Sequence, residues 1–173
     1  EVPPSLSDYA TIVAETVGNL GCRLAIEPGR SIVGPAGVLL ARVVYRKTAE
    51  PRDILILDAG MNDLARPSLY GAYHPAMPVA EPQKDANMTP VDVVGPVCET
   101  GDIFARARTL PPLRSGDLVA FGAAGAYGST MSSTYNARPL AAEVMVRGGR
   151  FKVVRPRQTV EALFAGERIP DWE

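Results

Sequence analysis

Apolar positions near the N-terminus recur at helical spacing. Tyr9, Ile12, Val13, Val17 and Leu20 fall on one stripe, Ser7 stands before it as a candidate N-cap, and Gly18 and Gly21 close it. This pattern predicts one amphipathic helix. The segment Arg23 to Ile26 then reads as a short buried strand that stops at Glu27-Pro28-Gly29-Arg30, where Pro and Gly force a turn. A helix feeding a short strand with polar residues at its C-terminal end is the repeating unit of an α/β barrel, but one unit alone defines no barrel.

From Gly37 onward the texture changes to β-branched runs separated by Pro and Gly: Val38 to Tyr45, Ile54 to Asp58, Val91 to Val94, Ile103 to Ala107, Leu118 to Phe121, Ala142 to Val146 and Phe151 to Val154. Short strands without long helices between them predict a mainly β domain, a β-sandwich or β-barrel, over 37–173, preceded by the helix-strand segment over 1–36. Gly148-Gly149 suits a tight hairpin turn, which makes the last two runs antiparallel. The Pro-, Ala- and polar-rich stretch from Ala76 to Met88 reads as a surface loop, and Thr159 to Ala165 as a short helix capped by Gly166.

Composition narrows the classes. The chain of 173 residues has room for one domain with a sizeable core, or a domain plus part of another. Hydrophobic residues at 46% and charged residues at 21% are ordinary globular usage. A net charge of −1 with scattered Lys and Arg gives no footprint for nucleic acid or an anionic membrane. The apolar runs are too short to span a bilayer as a helix. Cys22 and Cys98 stand far apart, outside any Cys-x-x-Cys pair, and read as free cytoplasmic thiols. The single histidine, His74, argues against a His-dependent triad and against a multi-His metal site, and no metal is expected.

Four segments place polar residues among glycines at the ends of apolar runs, where side chains can converge on a ligand. They are Glu27-Pro28-Gly29-Arg30, the stretch from Met61 to Tyr70, Gly95 to Asp102, and Gly125-Ala126-Tyr127-Gly128. Arg30 suits a phosphate clamp, although composition alone favours a surface ion pair with Glu27. Arg66 and Tyr70, four apart, could grip one carboxylate from a shared helix face, or be a solvated arginine beside a packed tyrosine. Cys98 beside Glu99 lies in an unusual setting for a core filler, although most lone cysteines are inert. Tyr127 could offer its hydroxyl to a ligand, yet its flanking glycines also serve sharp bends. Tyr135 and Arg138 read as structural.

In order and spacing, these segments resemble the diaminopimelate decarboxylases, a family among the fold-type III pyridoxal 5'-phosphate (PLP) enzymes, over Leu24 to Leu163. The resemblance implies that residues 1–36 end a PLP-binding (β/α)8 barrel and that 37–173 form the C-terminal β-domain of the alanine racemase-like type. It implies that Glu27 pairs with the pyridine nitrogen, that Pro28, Gly29 and Arg30 border the phosphate, and that Tyr127 contacts cofactor and substrate. Arg30, Arg66, Tyr70 and Glu99 would bind substrate, and Cys98 would be the catalytic proton donor, supplied from the partner subunit of a homodimer with shared active sites. The implied reaction converts meso-2,6-diaminopimelate to L-lysine and CO2. Physical logic agrees, because a substrate zwitterionic at both ends calls for a cation and an anion away from the reacting carbon. The family's cofactor-bearing lysine belongs to the N-terminal barrel half, and Lys47, Lys84 and Lys152 stand in contexts unlike its motif. The chain is thus expected to be a C-terminal portion, inactive alone. Rival readings are a PLP decarboxylase acting on ornithine, arginine or carboxynorspermidine, and a non-catalytic dimerisation domain.

Overall fold

A computed structural model describes residues 4–172. Helix α1 (Leu6–Val17) is capped by Ser5 rather than Ser7. Ser5 Oγ accepts from the Asp8 N–H at 3.1 Å, and Asp8 Oδ2 accepts from the Ser5 N–H at 3.2 Å. This reciprocal pair needs an acid three residues past the cap, which Asp8 provides for Ser5, whereas Ser7 has Ala10 there. The apolar stripe is present, but Leu6, Tyr9, Ile12 and Leu20 are all exposed.

The buried strand expected at Arg23 to Ile26 does not form: the segment pairs with no strand, and Leu24 and Ile26 are exposed. A strand is defined by its ladder, and no strand among the described residues lies alongside this one. The chain continues through α2 (Gly29–Val33) and a 3-10 turn (Gly34–Ala36) into the β region.

The elements there are β1 (Leu39–Lys47), β2 (Ile54–Leu57), α3 (Arg66–Tyr70), β3 (Ala76–Pro78), β4 (Thr89–Val94), β5 (Ile103–Leu110), β6 (Leu118–Phe121), β7 (Glu143–Arg147), β8 (Arg150–Arg155) and α4 (Val160–Phe164). Six strands form one sheet in the order β3-β6-β1-β2-β4-β5, antiparallel except for the parallel pair β2 and β4. Its edge strands β3 and β5 touch, so the sheet curls into a nearly closed barrel. Closure decides between the two architectures left open by the sequence. No helix among the described residues is long and apolar enough to cross a membrane.

The barrel interior follows from alternation along each strand. Ala41 and Val43 of β1, Leu55 and Leu57 of β2, Val91 and Val93 of β4, and Val119 and Phe121 of β6 are buried. Phe104 stacks on Phe121 with ring centroids 4.7 Å apart. Each fully buried large side chain contributes on the order of 1.5–3 kcal/mol over its exposed state. Strand β7 returns as β8 through Gly148-Gly149, with Gly148 at φ 57°, as the glycine pair requires. That hairpin stands apart from the barrel sheet, with Met145, Val146 and Phe151 exposed.

Strand β3 lies where the sequence predicts only loop. Its three residues pair antiparallel with β6, Ala76 opposite Phe121. They include a proline, which an edge strand tolerates, and three residues are too few to show a period. At the other edge, the register of β4 and β5 slips between Val91↔Arg108 and Val93↔Ala105, so Arg106 and Ala107 both face Asp92. Ala107 sits at φ 49°. Its N–H donates to Asp92 Oδ1 at 2.7 Å, and Arg52 donates to the same carboxylate at 3.1 and 3.4 Å.

Burial would raise the Asp92 carboxyl, but the Arg52 hydrogen bond, the Ala107 N–H and the charges of Arg52 and Arg106 outweigh it and hold the group below its ordinary 3.8. A depressed carboxyl stabilises the fold above its unfolded pKa, and that contribution disappears as pH falls through the folded value. Asp92→Asn should therefore lower stability at neutral pH and flatten the acid limb below about pH 4. Denaturant unfolding across a pH series checks this, and an unchanged acid limb would contradict it.

Candidate active site

The Gly125-Ala126-Tyr127-Gly128 segment meets the chain a few residues past Glu27-Pro28-Gly29-Arg30 at a backbone crossing. The Gly125 N–H donates to Gly34 O at 3.1 Å and the Ala124 N–H to Gly37 O at 2.9 Å. A methyl group on Gly37 would strike Gly125, and one on Gly125 would land on the Val33 carbonyl oxygen. Only glycine permits this approach. The loop after β6 is thereby clamped onto the end of α2, the helix that carries Arg30.

Tyr127 projects from that loop at φ 57°, a conformation that costs a non-glycine residue about 1 kcal/mol or more and concentrates at functional sites. The Arg30 guanidinium lies 5.3 Å from its ring centroid and the Arg66 guanidinium 6.0 Å from it. The ion pairs among the described residues join Arg46 to Asp53, Arg52 to Asp92, Arg138 to Asp63 and Arg155 to Glu143. Arg30 is therefore not paired with Glu27, as the bland sequence reading had it, and Arg66 has a partner other than a carboxylate. Its Nη1 lies 3.3 Å from His74 Nε2, while His74 Nδ1 lies 3.0 Å from Gly122 O. Two cations thus flank one aromatic ring on a partly exposed surface, an arrangement suited to anionic groups. Glu27, Pro28 and Gly29 lie exposed beside it. Tyr70 is 68% exposed at the end of α3, one turn from Arg66.

The turn between β4 and β5 is organised by Asp102, which is 3% exposed. Asp102 Oδ2 accepts from the Val97 N–H at 2.7 Å, Oδ1 accepts from the Met61 N–H at 2.6 Å, and its carbonyl accepts from the Gly95 N–H at 3.0 Å. Gly95 leaves the space that the carboxylate occupies, since any Cβ there would overlap it. The outcome is a fixed turn that presents Cys98 and Glu99 outward, both exposed. Ser68 Oγ also donates to Gly101 O at 2.6 Å, joining α3 to this turn. No hydrogen bond or ion pair among the described residues links Cys98 or Glu99 to Arg30, Arg66 or Tyr127.

Sequence reasoning did not find the supports. Asn62 is 2% exposed, accepts from Arg138 Nε at 2.9 Å and takes the Ser133 N–H on its backbone carbonyl at 2.9 Å, which fixes the turn before Arg66. Arg138 is structural, as its sequence context suggested. Beside it, burial raises the Asp63 carboxyl despite the opposing Gly60 N–H and the charges of Arg138 and Arg157. His74 and Asp102 were passed over because a buried polar residue shows its purpose only through tertiary partners.

A glycine-clamped junction carrying two arginines and a strained tyrosine, on a barrel-like sheet domain, defines a class before it defines a protein. Residues 12–125 match the family model described as pyridoxal-dependent decarboxylase, C-terminal sheet domain. The chain belongs to that family. It is 48% identical over 170 residues to the diaminopimelate decarboxylase of Zymomonas mobilis, covering 98% of this chain and 40% of that protein. Among solved structures, it matches diaminopimelate decarboxylase from Helicobacter pylori complexed with L-lysine with a TM-score of 0.83 and 41% identity, covering 95% of this chain and 40% of that one. The enzyme of the same name from M. jannaschii matches with a TM-score of 0.88 and 32% identity, covering 98% and 40%. The chain thus spans about 40% of the length of the curated relatives it matches.

The clamp generates a prediction. Gly125→Ala in the full-length protein should undock the Tyr127 loop and lower cofactor affinity about tenfold or more, because a Cβ cannot enter the crossing without moving backbone. Titration with pyridoxal phosphate, followed by visible absorbance, measures it, and wild-type affinity would show that the crossing does not govern the site.

Proposed function

We propose that this chain is the C-terminal portion of a PLP-dependent carboxy-lyase that converts meso-2,6-diaminopimelate to L-lysine and CO2. The observation that carries the reading is the placement of Arg66 beside Tyr127 and Arg30: a cation with no carboxylate partner among the described residues, one ring away from the segment assigned to the cofactor. The likeness to enzymes of that name supports it, as does the L-lysine complex of the Helicobacter pylori relative.

Glu27 would face the pyridine nitrogen, Gly29 and Arg30 the phosphate, and Tyr127 both cofactor and substrate. These residues fit such a ligand, because Arg30 has no acidic partner to displace among the described residues and the Gly29 position is open, with nothing within 4 Å of where a Cβ would stand. When bound, the ring supplies an electron sink for the bond to the departing CO2. The chain's own residues orient the substrate: Arg66 with Tyr70 takes the far carboxylate and Glu99 the far ammonium, so a diamine acid lacking that carboxylate loses its main anchor. Cys98 delivers the proton to the carbon that CO2 leaves.

Among the described residues no hydrogen bond or ion pair joins Cys98 or Glu99 to the Arg30–Tyr127–Arg66 cluster of their own chain, which supports a homodimer whose sites each draw on two subunits. Residues 1–36 would complete a barrel domain and 37–173 form the sheet domain, a division supported by the exposed apolar surface of Ile12, Leu20, Leu24 and Ile26 and by a core that begins at β1. Two free thiols support a cytoplasmic setting.

Product analysis with the full-length enzyme tests the assignment. Meso-diaminopimelate should be turned over to lysine at a kcat/KM at least about a hundredfold above ornithine, arginine or carboxynorspermidine. Lysine formation at trace rates only would remove it. Cys98→Ala should slow turnover about a hundredfold or more while the cofactor stays bound, as expected when a general acid is lost. Loss of cofactor instead would mark a structural thiol.

A further inference from the structure

We propose that His74 is a positioning residue for Arg66: a neutral imidazole, held in one tautomer, that fixes the guanidinium for the far carboxylate of the substrate. The inference rests on the reading of Arg66 given above and adds the element that holds it.

The ring is 1% exposed and both nitrogens are engaged. Gly122 O can only accept, so Nδ1 carries the hydrogen. A guanidinium can only donate, so Nε2 offers its lone pair. The other tautomer would break both bonds, and a charged ring would turn an N–H toward a cation. The two committed partners thus select one tautomer.

This form suits the task better than a carboxylate would. An acid at position 74 could hold Arg66 equally well but would cancel the charge that a ligand must feel. An imidazole lone pair anchors one Nη and leaves the positive charge and the remaining N–H groups available. The ring is itself anchored, because Ala76 pairs with Phe121 and the Gly122 N–H donates to Pro75 O at 2.8 Å. Gly122 and Tyr127 belong to one loop. Arg66 is therefore referenced twice to the segment that carries the cofactor-facing tyrosine, through His74 to Gly122 and through the ring of Tyr127.

Two substitutions separate this role from simple packing. In the full-length enzyme, His74→Asn places an amide N–H near Gly122 O but stops short of Arg66, whereas His74→Gln carries an acceptor out to Arg66. L-Lysine, which retains the far carboxylate, and cadaverine, which lacks it, serve as probes. His74→Asn should weaken L-lysine binding by calorimetry, and raise KM for meso-diaminopimelate, by about tenfold, with a smaller change in kcat. Inhibition by cadaverine and the cofactor absorbance should stay at wild-type values, and His74→Gln should recover most of the loss. In an Arg66→Ala background, His74→Asn should cost nothing further. If Arg66→Ala weakens L-lysine and His74→Asn does not, or if His74→Asn weakens L-lysine and cadaverine alike, the positioning role is overturned. If Arg66→Ala leaves L-lysine binding intact, the substrate reading of Arg66 fails first, and the role of His74 with it.

Discussion

Where the loop after β6 crosses the chain entering β1, Gly37 and Gly125 lie so close that neither can carry a side chain. Two backbone hydrogen bonds hold the crossing, Gly125 to Gly34 and Ala124 to Gly37. Segments far apart in sequence are thereby fixed against each other by main chain alone, which is stiffer than side-chain packing. Tyr127 is held in its left-handed conformation only because the residues before it are pinned, with Ala126 buried against the junction. Without that clamp the tyrosine would relax, and Arg30 and Arg66 would lose the ring that separates them.

Two guanidinium groups around one ring repel each other, and a fold gains nothing by gathering unpaired charge. The π face lowers the cost, and partial exposure lets water screen it. What remains is a surface whose electrostatic potential favours anions. Arg46, Arg52, Arg138 and Arg155 pair with carboxylates, whereas Arg42 donates to a backbone carbonyl and Arg108 lies over Tyr73, so it is the convergence of two guanidinium groups on one ring, rather than the lack of an ion pair, that sets the Tyr127 surface apart.

The strands were legible wherever a β-branched run was long enough to show its boundaries, and each of the seven predicted runs has its strand within a few residues. Strand β3 was illegible because three residues with a proline carry no period, although its ladder with β6 fixes His74. The segment from Arg23 to Ile26 had the composition of a buried strand and lacks a partner to make it one. In the site, glycines flanking polar residues marked all four segments. The meeting of Arg30 with Tyr127 rather than Glu27 could not be read, because it depends on the crossing that pins Gly125, two residues before the ring, against the chain just after Arg30's helix. Nor could the roles of His74 and Asp102, since a lone histidine and one acid among nineteen acidic residues have no signature apart from their partners.

Asp102 joins the two halves of the proposed specificity apparatus. Its carboxylate holds the Val97 N–H in the turn that presents Glu99 and the Met61 N–H in the turn that leads to Arg66, and Ser68 ties α3 to the same turn. Arg66 and Glu99 therefore share one mount within a chain. In a site assembled from two subunits, Arg66 of a chain would serve one substrate and Glu99 of that chain the other. The distance between the charges that grip a single substrate would then be set by how the subunits dock and by how firmly each chain holds its own charge, the two sites being equivalent by symmetry. A loose mount would let the spacing between the two charges vary, and under the proposed reading discrimination against shorter or singly charged substrates would weaken accordingly.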